Sequence, residues 1–212
     1  MSRTPATTPD PEAIPDTLDG VLQWTWAALE DAAASSKHPW HTPVVASVDE
    51  HGRPAARVVV LRHADRDQRR LLLHSDARSP KLDHLRRNPW LSWVMWNPRA
   101  KVQLRAAGPC TIHTDDPLAD RQWDASTRAA RRCYLAPAPP SEPADHPSPN
   151  LPEDVRGVVP DEERVRAGRP NFAVIATAVA SLDWLYLHHA GHRRAAFAWD
   201  DAGERRATWL QP

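Results

Sequence analysis

Apolar positions first recur with helical spacing over residues 18–34, where Val21, Leu22, Trp24, Ala28 and Leu29 share a broad face and Asp16 or Thr17 stands where an N-cap belongs. The period then drops to two. Residues 43–48 and 54–61 flank the turn sequence Asp49-Glu50-His51-Gly52 and predict a β-hairpin. A charged turn over 63–69 leads to a third strand at 70–74, and residues 78–87 read as a short helix stopped by Asn88-Pro89. Strands at 91–96 and 101–113 follow, then a helix over 117–132 with Asp115 or Asp116 as its cap. The last third returns to alternation: a long strand region at 171–187 broken near Ser181, then 195–199, the turn Asp200-Asp201-Ala202-Gly203, and 206–210. So many antiparallel strands with few helices predict a mainly β fold, a closed or nearly closed β-barrel with flanking helices, because a long open sheet would leave unpaired edges.

Composition narrows the partners. Lys plus Arg equals Asp plus Glu at 27 each, so no global basic field recruits nucleic acid or an anionic membrane, and any anion site must be local. The ten tryptophans show no regular interleaving with basic residues of the kind that marks single-strand binding, and read as packing. The two cysteines, Cys110 and Cys133, form no CxxC pair, which fits a reducing cytoplasm. The first residues lack an apolar signal segment, and the apolar run at 172–180 is far short of the roughly 20 residues that span a bilayer. Prolines concentrate near the start and over 136–152. The expected organisation is a disordered tail at 1–16 and a single domain at 17–212 carrying a proline-rich loop at 136–152.

The candidate chemistry lies between Arg57 and Gln103. Arg57, Arg62, Ser75, Arg78, Ser79 and Lys81 offer several cationic donors and two hydroxyls, the groups needed to hold a phosphate monoester. Arg57 and Arg62 are an odd number of positions apart, so on one ideal strand they leave opposite faces; Arg57 can serve one anion and Arg62 another. On the strand at 101–113, Gln103 and Arg105 share a polar face suited to a flat heterocycle. His188, His189 and His192 suggest a metal, but the surrounding alternation is that of a strand and turn and no HExxH pattern is present, so no metal is expected. No P-loop is visible, and a Ser-His-Asp arrangement assembled only in space stays open.

These residues together resemble the pyridoxamine 5'-phosphate oxidase-like family of FMN-binding split barrels, in its broad oxidase-related branch. The matching features are the Arg57-Val58-Val59-Val60-Leu61-Arg62 strand, the His74-Ser75 pair, Ser79-Pro80-Lys81, Gln103, and Trp184 with Arg194 ten residues on, in order over residues 40–212. The resemblance implies a homodimer with FMN at the subunit interface. Its phosphate would be held by Arg57, Ser75 and Lys81, its ring faced by Gln103, and its site closed by Trp184 and Arg194, from the other subunit.

It also implies a flavin-dependent oxidoreductase acting on a small molecule. The vitamin B6 enzyme of the family has an Arg six residues after the Trp and a His eight after it; here these are Ala190 and His192. Its second phosphate cluster corresponds to a region offering Trp123, Ser126 and Arg128 without a clear register, and Pro80 replaces a common cation. Arg62 and His192 are therefore the candidate substrate contacts. The alternatives are the pyridoxamine/pyridoxine 5'-phosphate oxidase itself and a non-catalytic protein binding flavin, haem or pyridoxal phosphate.

Overall fold

A computed structural model of the chain describes residues 14–212. The tail expected at 1–16 falls mostly on residues 1–13, outside the described residues. Its last part is docked: Ile14 packs on the core and Arg193 donates to the Pro15 carbonyl at 3.0 Å.

The first helix, α1 (Leu18–Ala34), begins at the expected cap, where Thr17 Oγ1 accepts from Gly20 N at 3.1 Å. The strands are β1 (Val44–Val48), β2 (Pro54–Val58), β3 (Leu61–Asp65), β4 (Arg70–Asp76), β5 (Trp90–Asn97), β6 (Val102–His113), β7 (Phe172–Ala178), β8 (Ser181–Tyr186), β9 (Arg193–Trp199) and β10 (Arg205–Leu210). Between them lie helices α2 (Pro80–Arg87), α3 (Pro117–Ala125), α4 (Arg128–Arg131) and α5 (Glu162–Arg166). The fold is mainly β, as expected: one ten-stranded antiparallel network of split-barrel type with a few helices.

Its hydrogen-bonded order is β10-β9-β8-β6-β5-β1-β2, and β7, β4 and β3 branch from β6. Strand β6 makes the branch because its first half pairs with β8 and its last residues pair with β7. Gly108 lies between the two halves, where a Cβ would stand 1.8 Å from the Ala178 carbonyl oxygen. Only glycine lets the β7 backbone come this close before Ala180 N turns to donate to Ala107 O at 2.9 Å.

Three expectations are corrected. The strand drawn over 54–61 stops at Val58, and β3 occupies part of the expected charged turn at 63–69. The chain changes pairing partner there: β2 lies on β1, whereas β3 lies on β4. The helix drawn over 117–132 breaks after Ala125, because Ser126 is the C-cap of α3 and Thr127 caps α4 with a bond to Ala130 N at 3.2 Å. Residues 153–171, given no element from the sequence, contain α5 between two short 3₁₀ turns.

Two apolar clusters hold the molecule. The larger joins α1 through Val21, Trp24 and Leu29 to Trp40, Leu61, Trp93, Leu104 and Trp184. Each buried tryptophan contributes on the order of 4 kcal/mol gross, before the entropy of ordering it. Within this core Thr177, at 0% exposure, receives Trp93 Nε1–H at 3.1 Å and lies 3.2 Å from Cys110 Sγ. The smaller cluster sets Leu72, Phe172, Val174 and Ala176 against Leu118, Trp123 and Tyr134. Strands β4 and β7 are thus covered on both faces.

Candidate functional site

Arg57 lies on β2 directly across from Val45 of β1, and Val45 faces the core. Its guanidinium therefore starts on the inner side of an outermost strand and reaches the end of the β-structure, where NH1 donates to Ser47 Oγ at 2.8 Å. Ser75 is near the end of β4, on the same face as the buried Leu71 and Leu73. Lys81, in the first turn of α2, donates to Ser75 Oγ at 2.9 Å and to Ser79 Oγ at 2.6 Å. Ser79 is the N-cap of α2, yet its hydroxyl caps no backbone N–H. Pro80 occupies the start of the helix, where a missing N–H costs nothing.

The electrostatics are those of an anion site. Neither Arg57 nor Lys81 is ion-paired among the described residues. Burial pulls both below their usual values, and Lys81 is lowered further by Arg57, with Asp76 opposing. The positive end of the α2 dipole adds to the same field. Serine hydroxyls alone hold the two cations, which leaves donors for a phosphate. That donor set fits the terminal phosphate of FMN: two cations, two hydroxyls and no competing carboxylate in contact.

Other predicted residues fall elsewhere. Arg78 is bound to Asp76, with NH2 to Oδ2 at 2.8 Å, and donates to the carbonyls of Ala136 and Pro137. It therefore ties the start of the proline-rich segment to the fold. Val58 is exposed and points outward, Val59 extends the β1–β2 ladder through a bond to Pro43 O at 2.9 Å, Val60 is half-buried, and Leu61 is core.

His74 alternates away from Ser75. It packs edge-on against Phe172, with ring centroids 4.8 Å apart, and its Nε2 lies 3.1 Å from Gln122 Oε1. Burial, aided by Arg62, lowers its pKa to about 4 against the bond to Gln122, so the ring is neutral at pH 7. Arg62 is exposed on this same side, its charge felt by His74, Cys133 and Tyr134. Arg57 and Arg62 thus serve opposite sides of the sheet, but from two different strands.

Gln103 and Arg194 form a third group. One row of paired residues runs Trp96, Gln103, Leu185, Arg194, Leu210 across β5, β6, β8, β9 and β10. All leave the outward face, to which β5 sends Trp90, Ser92, Val94 and Trp96 by strict alternation. Arg194 is held there by Asp183 at 3.0 and 2.6 Å, which raises its pKa.

Trp184, expected beside Arg194, instead points inward at 0% exposure, between Leu104 and Ala195 in the ladder. The side chain in line with Gln103 and Arg194 is Leu185. His192 stands in the exposed β8–β9 turn, where its Nδ1 accepts from His188 N at 3.1 Å. Among the described residues no cluster of three His, Cys, Asp or Glu is placed to hold a metal.

Sequence reasoning missed Ser47 and His84, whose hydroxyl and imidazole sit behind Arg57 with Ser47 Oγ 3.2 Å from His84 Nδ1. No short motif marks them, since they are 37 positions apart.

Comparison with known proteins places the same part of the chain in a known context. Residues 23–114 match the model of the pyridoxamine 5'-phosphate oxidase FMN-binding domain, a span that contains the whole cradle. A pyridoxine/pyridoxamine 5'-phosphate oxidase of Cronobacter sakazakii is 45% identical over 73 residues, which is 32% of this chain and 33% of that protein. The match therefore spans about a third of the curated relative.

Among solved structures, a pyridoxamine 5'-phosphate oxidase-related, FMN-binding protein of Nostoc punctiforme is similar at a TM-score of 0.70 and 25% identity, covering 89% of this chain and 95% of that one. PhzG of Burkholderia lata, in complex with tetrahydrophenazine-1-carboxylic acid, shares the fold over 100% of both chains at a TM-score of 0.67 and 17% identity. With the split-barrel strand order and these relatives, the chain is similar to the pyridoxamine 5'-phosphate oxidase-related, FMN-binding proteins, in sequence over residues 23–114 and in fold over most of its length.

Proposed function

We propose that this protein is a homodimeric, FMN-dependent oxidoreductase acting on a small anionic molecule. The observation that carries the reading is the pairing of Arg57 with Lys81: two part-buried cations at one end of the β-structure, held by hydroxyls and, among the described residues, ion-paired to no carboxylate. Bound FMN would supply the electron transfer. The chain's own residues would do the rest: Arg57, Ser75, Ser79 and Lys81 fix the phosphate, and Gln103 offers an amide to the polar edge of the ring.

The dimer is supported by where the second group lies. Along the strand order, Gln103 is three strands from β2 and Arg194 is five, roughly 14 and 24 Å at ordinary strand spacing, and both leave the outward face. A flavin anchored on Arg57 and Lys81 would then meet the Arg194 of a second copy of the chain. The outward face suits such a contact, because Val58 at 66%, Trp96 at 43% and Val94 at 37% exposure lie on it around the Arg105–Asp183–Arg194 ion network.

The substrate side favours something other than a vitamin B6 phosphate. Arg62 faces outward beside a neutral His74, while Gln122 is engaged by His74 and Ser126 donates its hydroxyl to the Gln122 carbonyl at 2.7 Å. One exposed guanidinium suits a singly charged group, such as a carboxylate, better than a dianion that ordinarily draws several cations.

The test is direct: purify the protein, record the flavin band at roughly 450 nm, identify the ligand by mass spectrometry, and add a pyridine nucleotide or an amine without oxygen. FMN that bleaches supports the enzyme. FMN that never bleaches supports a binding protein, and a colourless chain that cannot be reconstituted with FMN sinks the reading.

A further inference from the structure

Behind the phosphate cradle lies a buried polar chain that the family resemblance does not name. Ser47, at 3% exposure on β1, accepts from Arg57 NH1 at 2.8 Å and lies 3.2 Å from His84 Nδ1. His84, at 9% exposure on α2, has its Nε2 3.5 Å from Glu50 Oε2. It follows Lys81 by one helical turn.

A Ser-His-Glu succession invites a hydrolase reading, but the Ser47 hydroxyl is inaccessible and already takes a hydrogen bond from a guanidinium. A nucleophile needs an open path to its substrate and an anion-stabilising pocket beside it. The hydrogen-bond directions instead describe a brace. Arginine can only donate, so Ser47 Oγ accepts from Arg57 and keeps its hydroxyl proton and its second lone pair for the bond to His84 Nδ1. The other ring nitrogen of His84, Nε2, faces Glu50.

The brace matters because a free arginine side chain carries rotamer entropy that a ligand must otherwise remove on binding. It also fixes spacing. Lys81 and Arg57 repel one another, and Ser47 links the strand that presents Arg57 to the helix that presents Lys81.

We propose that Ser47 and His84 are positioning residues that hold the Arg57 guanidinium ready for the terminal phosphate of the flavin and couple it to helix α2. The proposal rests on the phosphate reading above.

Riboflavin, which lacks the phosphate, separates this role from general damage. Flavin-fluorescence titrations with FMN and riboflavin on Ser47→Ala should show FMN affinity about three- to tenfold weaker, the worth of one hydrogen bond, with riboflavin unchanged. Ser47→Thr, which keeps the hydroxyl, should restore FMN binding. His84→Phe should weaken FMN about two- to fivefold alone and add nothing in the Ser47→Ala background, because the two act as one chain. Unchanged FMN affinity in Ser47→Ala, equal losses for both flavins, or additive effects of the two substitutions would overturn it. If the unsubstituted protein binds FMN no better than riboflavin, the phosphate reading fails first and takes this proposal with it.

Discussion

Arg57 and Lys81 bring like charges into one end of the β-structure, each bonded to serine hydroxyls and, among the described residues, neither to a carboxylate. The strain of that pairing shows in Lys81, whose pKa is lowered first by burial and then by Arg57. Lys81→Met should therefore stabilise the flavin-free protein, raising its melting temperature by about 1–4 °C. The same change should weaken FMN by about 1.5–3 kcal/mol, the worth of a hydrogen bond to a charged group. Differential scanning fluorimetry with and without FMN reads both effects; a melting temperature that falls would mean that Lys81 is a structural residue.

His74 gives the protein an acid-side liability. Its pKa falls from 6.5 in the unfolded chain to about 4 in the fold, mainly by burial. Between those values the unfolded state binds the extra proton, so stability is fully present above pH 6.5 and is lost as pH falls toward 4. The loss attributable to this ring is up to about 3 kcal/mol. Urea melts across that range should show the decline, and His74→Gln should flatten it; an equal slope in both proteins would assign the acid sensitivity elsewhere.

The buried Thr177 hydroxyl serves Trp93 and Cys110 together. Thr177→Val keeps the shape and removes the acceptor, so it should cost about 1–3 kcal/mol of unfolding free energy, mostly through the orphaned Trp93 N–H. Equilibrium denaturation measures it, and a neutral result would show that the indole finds another partner.

The outward sheet face makes a different prediction. Replacing Val94 and Trp96 together by Glu should turn a dimer into a monomer in analytical ultracentrifugation and remove FMN binding, with the strands still folded by far-ultraviolet circular dichroism. These side chains point away from the core, so folding does not depend on them. A doubly substituted protein that stays dimeric would move the interface to another surface.

Much of this architecture was legible because local chemistry and tertiary packing agree. The first helix lies where its apolar face and Thr17 cap predict, and β5 and β6 follow their alternation to within a residue or two. The donors themselves were legible too, since Arg57, Ser75, Ser79 and Lys81 stand at strand ends and a helix start.

What escaped depended on pairing. Nothing in Val59-Val60 says that the chain changes partner strands there, and the helix after β6 breaks at Ser126 and Thr127 where helix formers on both sides hide the caps. The family resemblance put Trp184 at the site with Arg194, but the register turns it inward and brings Leu185 to the outer row. A shift of one residue exchanges faces, and one sequence does not fix that register. Ser47 and His84 come together only through folding.

A flavin phosphate seated at the Arg57–Lys81 end of the β-structure would give the protein a selectivity that riboflavin exposes. Its most direct measurement is the ratio of FMN to riboflavin affinity, by fluorescence quenching, for the unsubstituted protein and for Arg57→Ala. FMN should bind at least about a hundredfold more tightly than riboflavin, and Arg57→Ala should weaken FMN about ten- to a hundredfold while leaving riboflavin where it was. Equal affinity for the two flavins in the unsubstituted protein, or an Arg57→Ala protein that binds FMN as before, would contradict it.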